Sequence, residues 1–158
     1  MSDRPIFRLV PIAELKDHEE VDPAKVDQLV EDIRRRQAVA DPVWVALGSG
    51  VILNGHHRVA ALRRLGAHRV PAWMVDYHSA SVRLGRWGNG PPISKAEVER
   101  RALHGERFPP KTTRHVIEPS MPVRSTPLAA LLGPDGSPGQ PRASGSPRRR
   151  GASASETT

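Results

Sequence analysis

The sequence predicts an α+β fold: a small mixed β-sheet with helices packed against it. Three observations lead there. Short apolar runs rich in β-branched residues, at 7–12, 43–47, 51–53 and 70–76, alternate with segments of helical periodicity. The stretch 50–66, GVILNGHHRVAALRRLG, reads as a strand running straight into a helix. The resulting order is strand, helix, hairpin, helix, strand; the chain has no cysteine, so disulfides, thiolate zinc sites and thiol catalysis are excluded.

Residues 7–12 (FRLVPI) read as the first strand. A polar loop follows at 15–22 (LKDHEEVD), with Asp17, Glu19 and Glu20 beside His18. An ordinary solvated connection fits it; so does a general base or an Mg²⁺-binding carboxylate. Asp22-Pro23 then opens a helix as N-cap and first residue. Val26, Leu29, Val30 and Ile33 give it one apolar face. Arg34, Arg35 and Arg36 complement the dipole at its end.

Asp41-Pro42 breaks the chain, and the strands 43–47 and 51–53 form a hairpin around Gly48-Ser49-Gly50. Asn54 is the expected N-cap of the next helix, with Gly55 making the tight exit. Val59, Leu62 and Leu65 form its buried side and Gly66 stops it. Its first turn offers unpaired N–H groups and the positive end of a dipole. Arg58 adds a planar cation, and His56 and His57 can add donors. Both a phosphate cradle and a plain surface junction fit these features.

The strand 70–76 carries Pro71 near its start, which places it at an edge or an end. The Gly/Pro-rich stretch 77–92 reads as a loop holding Arg86 and Trp87, with Trp87 either a pocket wall or a local anchor. Ser94 and Glu97 form a capping box for a helix ending at Gly105, with Val98, Ala102 and Leu103 buried. The following loop, FPPKTTRHV at 108–116, places Lys111, Thr112, Thr113, Arg114 and His115 together. Successive N–H groups with such side chains suit an oxyanion, though a polar exposed loop fits equally. One last helical turn is expected within 127–132.

The 158 residues carry a net charge of +7, which permits nucleic acid or a phosphorylated small molecule as partner. Aromatics are only 4%, which argues against single-strand binding by base stacking. No apolar run approaches the roughly 20 residues of a membrane span, and no signal-peptide pattern opens the chain, so a cytoplasmic protein is expected. The mean hydropathy of −0.48 is low, and from 133 onward Gly, Pro, Ser and Arg dominate, so 133–158 is expected to be a disordered tail.

The segment 51–77, VILNGHHRVAALRRLGAHRVPAWMVDY, resembles the ParB/sulfiredoxin nucleotide-binding fold, where a Gly-x-x-Arg box at a helix start grips phosphates. Three further pieces resemble one branch of it, the free L-serine kinases: HEE at 18–20, LGRW at 84–87 and FPPKTTRH at 108–115. The resemblance covers residues 6 to about 116. It implies a nucleotide-binding domain at 6–78, an extension at 79–132 holding the substrate loop, and the tail at 133–158. It further implies a kinase moving a phosphoryl group from ATP or ADP, with Mg²⁺, to the hydroxyl of free L-serine or a related amino acid. Gly55, His56, His57 and Arg58 would bind the nucleotide. Glu20, or its neighbour Glu19, would be the catalytic carboxylate. Trp87, Lys111, Thr112, Thr113, Arg114 and His115 would surround the substrate, with Trp87 as the wall. Metal ligands are not assigned.

One position departs from the branch. Those kinases usually carry Asp where this chain has Asn54, and an amide cannot accept a proton as a carboxylate does. The alternative is therefore a nucleotide-binding regulatory or DNA-binding module without turnover; DNA is open as a partner but not favoured. A ParB-like nuclease, with metal on Asp17, Glu19 and Glu20, is the least favoured reading. Sulfiredoxin chemistry needs a cysteine and is excluded.

Overall fold

A computed structural model describes residues 4–133. Its elements are β1 (Ile6–Pro11), α1 (Pro23–Arg36), β2 (Ala38–Val39), β3 (Val43–Ala46), β4 (Ile52–Asn54), α2 (His56–Arg64), β5 (Arg69–Val75), β6 (Val82–Arg86), α3 (Lys95–His104), β7 (Thr113–Ile117), β8 (Thr126–Pro127) and α4 (Ala129–Leu132). The predicted disordered tail lies outside the described residues, apart from Gly133.

The main sheet has the order β1-β5-β3-β4. β1 is antiparallel to β5, β5 is parallel to β3, and β3 is antiparallel to β4. The sheet is mixed, as the sequence predicts, and helices cover it. Side chains alternate across it, so neighbouring residues feed two cores. Val45 and Ile52 join Val26, Val30, Ile33, Val59 and Leu62 beneath α1 and α2. Ala46 and Leu53 join Val75, Val82, Val98 and Phe108 on the other face. The extension is not a separate body. β6, α3 and β7 close the second face, while Leu128 and Leu131 return to the first core.

Of the two positions that Pro71 allows, an edge or an end, β5 takes the second. It lies between β1 and β3, and all seven of its residues are buried. Pro71 is tolerated because pairing with β3 begins only at Ala72. The expected loop 77–92 contains a strand: β6 pairs antiparallel with β7, so half of the expected loop 108–116 is strand as well.

The helix ends follow the sequence with small shifts. Asp22 Oδ1 accepts from Ala24 N at 3.0 Å, with Pro23 next, as predicted. Ser94 Oγ accepts from Glu97 N at 3.1 Å, but Glu97 pairs with Arg101 and leaves the capping box half made. Leu103 is exposed, one position off the Val98–Ala102 face. The N-cap of α2 is Gly55, not Asn54, which ends β4. Gly55 has φ 105°, and a Cβ there would lie 2.5 Å from Val43 Cγ1. Glycine is thus required twice over, by backbone conformation and by the close approach of β3.

This gives a paired prediction. Gly55→Ala meets both the left-handed backbone and Val43, whereas Gly66→Ala, at φ 81° with nothing within 4 Å, meets only the backbone. Urea unfolding is expected to show a loss of about 1 kcal/mol for Gly66→Ala and at least about 2 kcal/mol for Gly55→Ala.

Candidate functional site

The three acids of the 15–22 segment have three different fates. Asp17 accepts a bidentate pair from Arg63 at 2.9 and 3.0 Å, tying the segment to the end of α2. Glu19 is buried, and its carboxylate accepts from four donors across the molecule. Oε1 takes Thr112 N at 3.1 Å, Thr113 N at 2.9 Å and Thr113 Oγ1 at 3.0 Å; Oε2 takes Lys111 N at 3.3 Å. Glu20 points its side chain to solvent, while its backbone N–H donates to Phe108 O at 2.8 Å. The segment is therefore not the solvated connection that composition allows: His18 is fully buried and Glu19 nearly so.

The expected oxyanion nest of the lysine loop exists, but the protein's own Glu19 fills it. Three consecutive N–H groups converge on one carboxylate, as a nest does with an anion. This fixes Lys111, which has φ 56°, a conformation uncommon for a residue other than glycine.

These contacts line a cleft of about 280 Å³. Glu19, Lys111, Thr113, Trp87, Asn54, Gly55, His56, His57 and Arg58 all border it. At its floor, α2 begins. The first intrahelical bond runs from Val59 N to Gly55 O, so the N–H groups of His56, His57 and Arg58 have no acceptor in the helix. No side chain caps them.

The two histidines diverge as their adjacency requires. His56 Nε2 accepts from the His18 backbone N–H at 3.2 Å, and His57 Nε2 accepts from the Asp22 N–H at 2.9 Å. Both rings are thus neutral, with the proton on Nδ1. Their Nε2 atoms are acceptors of protein bonds rather than the ligand donors expected. Arg58 gives one arm to Pro42 O at 3.1 Å, and burial lowers its pKa from the ordinary arginine value. Asn54 Nδ2 donates to His115 O at 3.4 Å.

Not every predicted substrate residue reaches the cleft. Thr112 gives its hydroxyl to Pro109 O at 2.7 Å. The Arg114 guanidinium sits 4.9 Å over the Trp87 ring, bracing the half-exposed indole from outside. His115 is buried and bonded to Tyr77 at 2.8 Å. Alternation along β7 turns Arg114 outward; His115 points inward as Thr113 does, but Tyr77 holds it behind the cleft. Glu20 likewise does not line the cleft; Glu19 does. Sequence reasoning missed Lys25 and Leu29 of α1, which also border it. Their i, i+4 spacing was visible, but Lys25 reads as ordinary surface charge.

Behind the cleft lies a layer of buried rings. His18 meets His56 edge-on at 4.6 Å and His115 at 5.8 Å. His18 Nε2 is 3.0 Å from Thr113 Oγ1, which gives its own proton to Glu19. Burial is the main cause that lowers the pKa of His18 to about 2, of His56 to about 3 and of His115 to about 4. Among the described residues no cluster of three His, Cys, Asp or Glu suits a metal ion, and no helix is long and apolar enough to cross a membrane.

This fold is the one found in solved free serine kinase structures. A variant of free serine kinase in complex with ADP superposes with a TM-score of 0.70 at 17% identity, covering 83% of this chain and 95% of that one. In sequence, the chain is 36% identical over 83 residues to an ATP-dependent L-serine kinase of Staphylothermus marinus, covering 50% of this chain and 33% of that protein. It is 39% identical over 74 residues to a ParB-like protein of Sulfolobus acidocaldarius, covering 47% of this chain and 37% of that protein. The chain thus spans little more than a third of the length of these curated relatives. No family model matches it.

The buried histidines make stability pH-dependent. Unfolded, each ring takes up a proton below its ordinary value of 6.5; folded, none does until about pH 4 or lower. Their contribution is complete above pH 6.5 and is lost as pH falls, at about 1.4 kcal/mol per pH unit for each ring. The urea midpoint is expected to fall steeply between pH 6 and pH 4.5, and a profile flat over that range would contradict the neutral assignment.

Proposed function

We propose that this protein is a small-molecule kinase that transfers a phosphoryl group from ATP or ADP to the hydroxyl of free L-serine or a closely related amino acid. The observation that carries the reading is the convergence of Glu19, Lys111 and the start of α2 with Arg58 on one cleft, from segments far apart in the chain. The similarity to serine kinases in sequence and fold supports it.

The chemistry follows from the placement. The N–H groups of His56, His57 and Arg58, with the Arg58 guanidinium, receive the nucleotide phosphates. The serine hydroxyl lies against Glu19, the one carboxylate among the described residues that borders the cleft. Glu19 Oε2 carries a single long bond, so it has room to accept the hydroxyl proton. The serine oxygen then bonds to the terminal phosphorus, and the bridging P–O bond breaks to release the shortened nucleotide. Lys111 neutralises charge on the moving group, and Trp87 walls the amino-acid side. Such transfer is mainly positioning and charge neutralisation.

The cleft offers Mg²⁺ no cage, since only Glu19 presents a carboxylate there. That fits an ion held mostly by phosphate oxygens and water, with one protein carboxylate. When bound, Mg²⁺ supplies charge neutralisation on the phosphates.

The test is mass spectrometry of O-phosphoserine formed from L-serine, Mg²⁺ and ATP or ADP. Lys111→Ala and Glu19→Gln are each expected to lower product formation about 100-fold or more, while Glu20→Gln keeps most of it. Asn54 favours a second reading, nucleotide binding without turnover, with DNA or a protein as partner. Nucleotide binding with no product from the wild type, and product from Asn54→Asp, would establish that reading instead.

A further inference from the structure

We propose that Lys25 of α1 contacts a phosphate beyond the α-phosphate, and that Lys25 and Leu29 together set the direction in which the nucleotide lies. The inference rests on the nucleotide reading above and deepens it.

Lys25 and Leu29 are four residues apart on α1 and both border the cleft, so they stack on one helix face about 6 Å apart. The start of α1 is pinned to the start of α2 by the Asp22 N–H bond to His57 Nε2. Lys25 therefore stands in a fixed relation to the unpaired N–H groups of His56, His57 and Arg58. Among the described residues its ammonium makes no hydrogen bond or ion pair. Its charge, with that of Lys111, acts on the His57 ring and adds to the burial that lowers that ring's pKa.

The position also works against α1 itself. Lys25 lies in the first turn, which holds no acidic residue beyond the Asp22 cap, so a cation sits near the positive end of the dipole. A local cost of this kind marks a functional position when a compensating ligand exists. Here the compensating ligand is an anion, because the uncapped start of α2 and three cations (Lys25, Arg58, Lys111) face a single carboxylate already accepting four bonds.

Leu29 supplies the opposite chemistry. It is a half-buried apolar wall, suited to a nucleoside and unsuited to phosphate. Since α1 runs from Lys25 to Leu29, the phosphate chain lies toward Lys25, Lys111 and Glu19, and the nucleoside lies toward Leu29. The terminal phosphate is thereby delivered to the carboxylate side of the cleft.

Titration calorimetry of the full chain with ADP and with AMP tests this. Lys25→Gln is expected to weaken ADP about tenfold or more and AMP by less than about twofold, so the ADP-to-AMP preference falls. Leu29→Ala is expected to weaken both by a similar factor. The thermal midpoint of Lys25→Gln should match or exceed that of the wild type, because the unfavourable cation is gone. An equal effect of Lys25→Gln on both nucleotides, or none, overturns the inference while leaving the kinase reading intact. A wild-type protein that binds neither nucleotide overturns both.

Discussion

The arrangement depends on one buried carboxylate. Glu19 joins the segment after β1 to the loop before β7, more than ninety residues later, through four hydrogen bonds. Burying a carboxylate is costly unless its oxygens are satisfied. Here three successive backbone N–H groups and a hydroxyl satisfy them, and charge-assisted bonds of this kind are stronger than neutral ones. The loop gains a fixed shape in return. Lys111 holds a left-handed conformation that nothing local favours, and its ammonium is carried to the cleft. The segment is further zipped to Phe108, whose N–H donates to His18 O and whose O accepts from Glu20 N, both at 2.8 Å.

A second constraint acts at the cleft floor, where two helices begin side by side. α1 and α2 pack together, and the Asp22–His57 bond joins their first turns. The start of α1 is capped by Asp22, whereas that of α2 carries no side-chain cap. Gly55 makes this geometry reachable, because only a residue without Cβ lets the chain leave β4, pass Val43 and enter α2 at once. The fold thus leaves unpaired N–H groups at the cleft floor, and the flanking loops add side chains to it.

Much of this was legible in the sequence. The three longer helices and the four main-sheet strands announce themselves through periodicity, Asp22-Pro23, Ser94 and Gly105. The stretch 50–66 read as a strand running into a helix whose first N–H groups are unpaired, and the structure has both. What failed did so for identifiable reasons. β6 and β7 were hidden because Gly85 interrupts one and two prolines precede the other, so neither run reads as a strand until the two pair. Pro71 left edge and end both open because its rule concerns missing donors, and only the register, which starts pairing with β3 one residue later, decides for the end. The choice between Glu19 and Glu20 could not be made, since adjacent residues in an extended segment point opposite ways and no sequence pattern sets the phase. The same parity turned Arg114 away from the cleft, while His115, on the side of Thr113, is held behind the cleft by its bond to Tyr77.

The buried ring layer explains how a cleft so rich in basic side chains stays chemically simple. His56 and His57 accept backbone N–H bonds at Nε2, so neither can take a proton there without losing that bond. Burial keeps His18 and His115 neutral as well. The charge around the cleft is then set by Lys25, Lys111 and Arg58 against Glu19. The imidazoles contribute shape and hydrogen bonds, not titrating charge. The acid sensitivity of the fold therefore sits on the buried rings, whereas the charge of the cleft sits on other side chains.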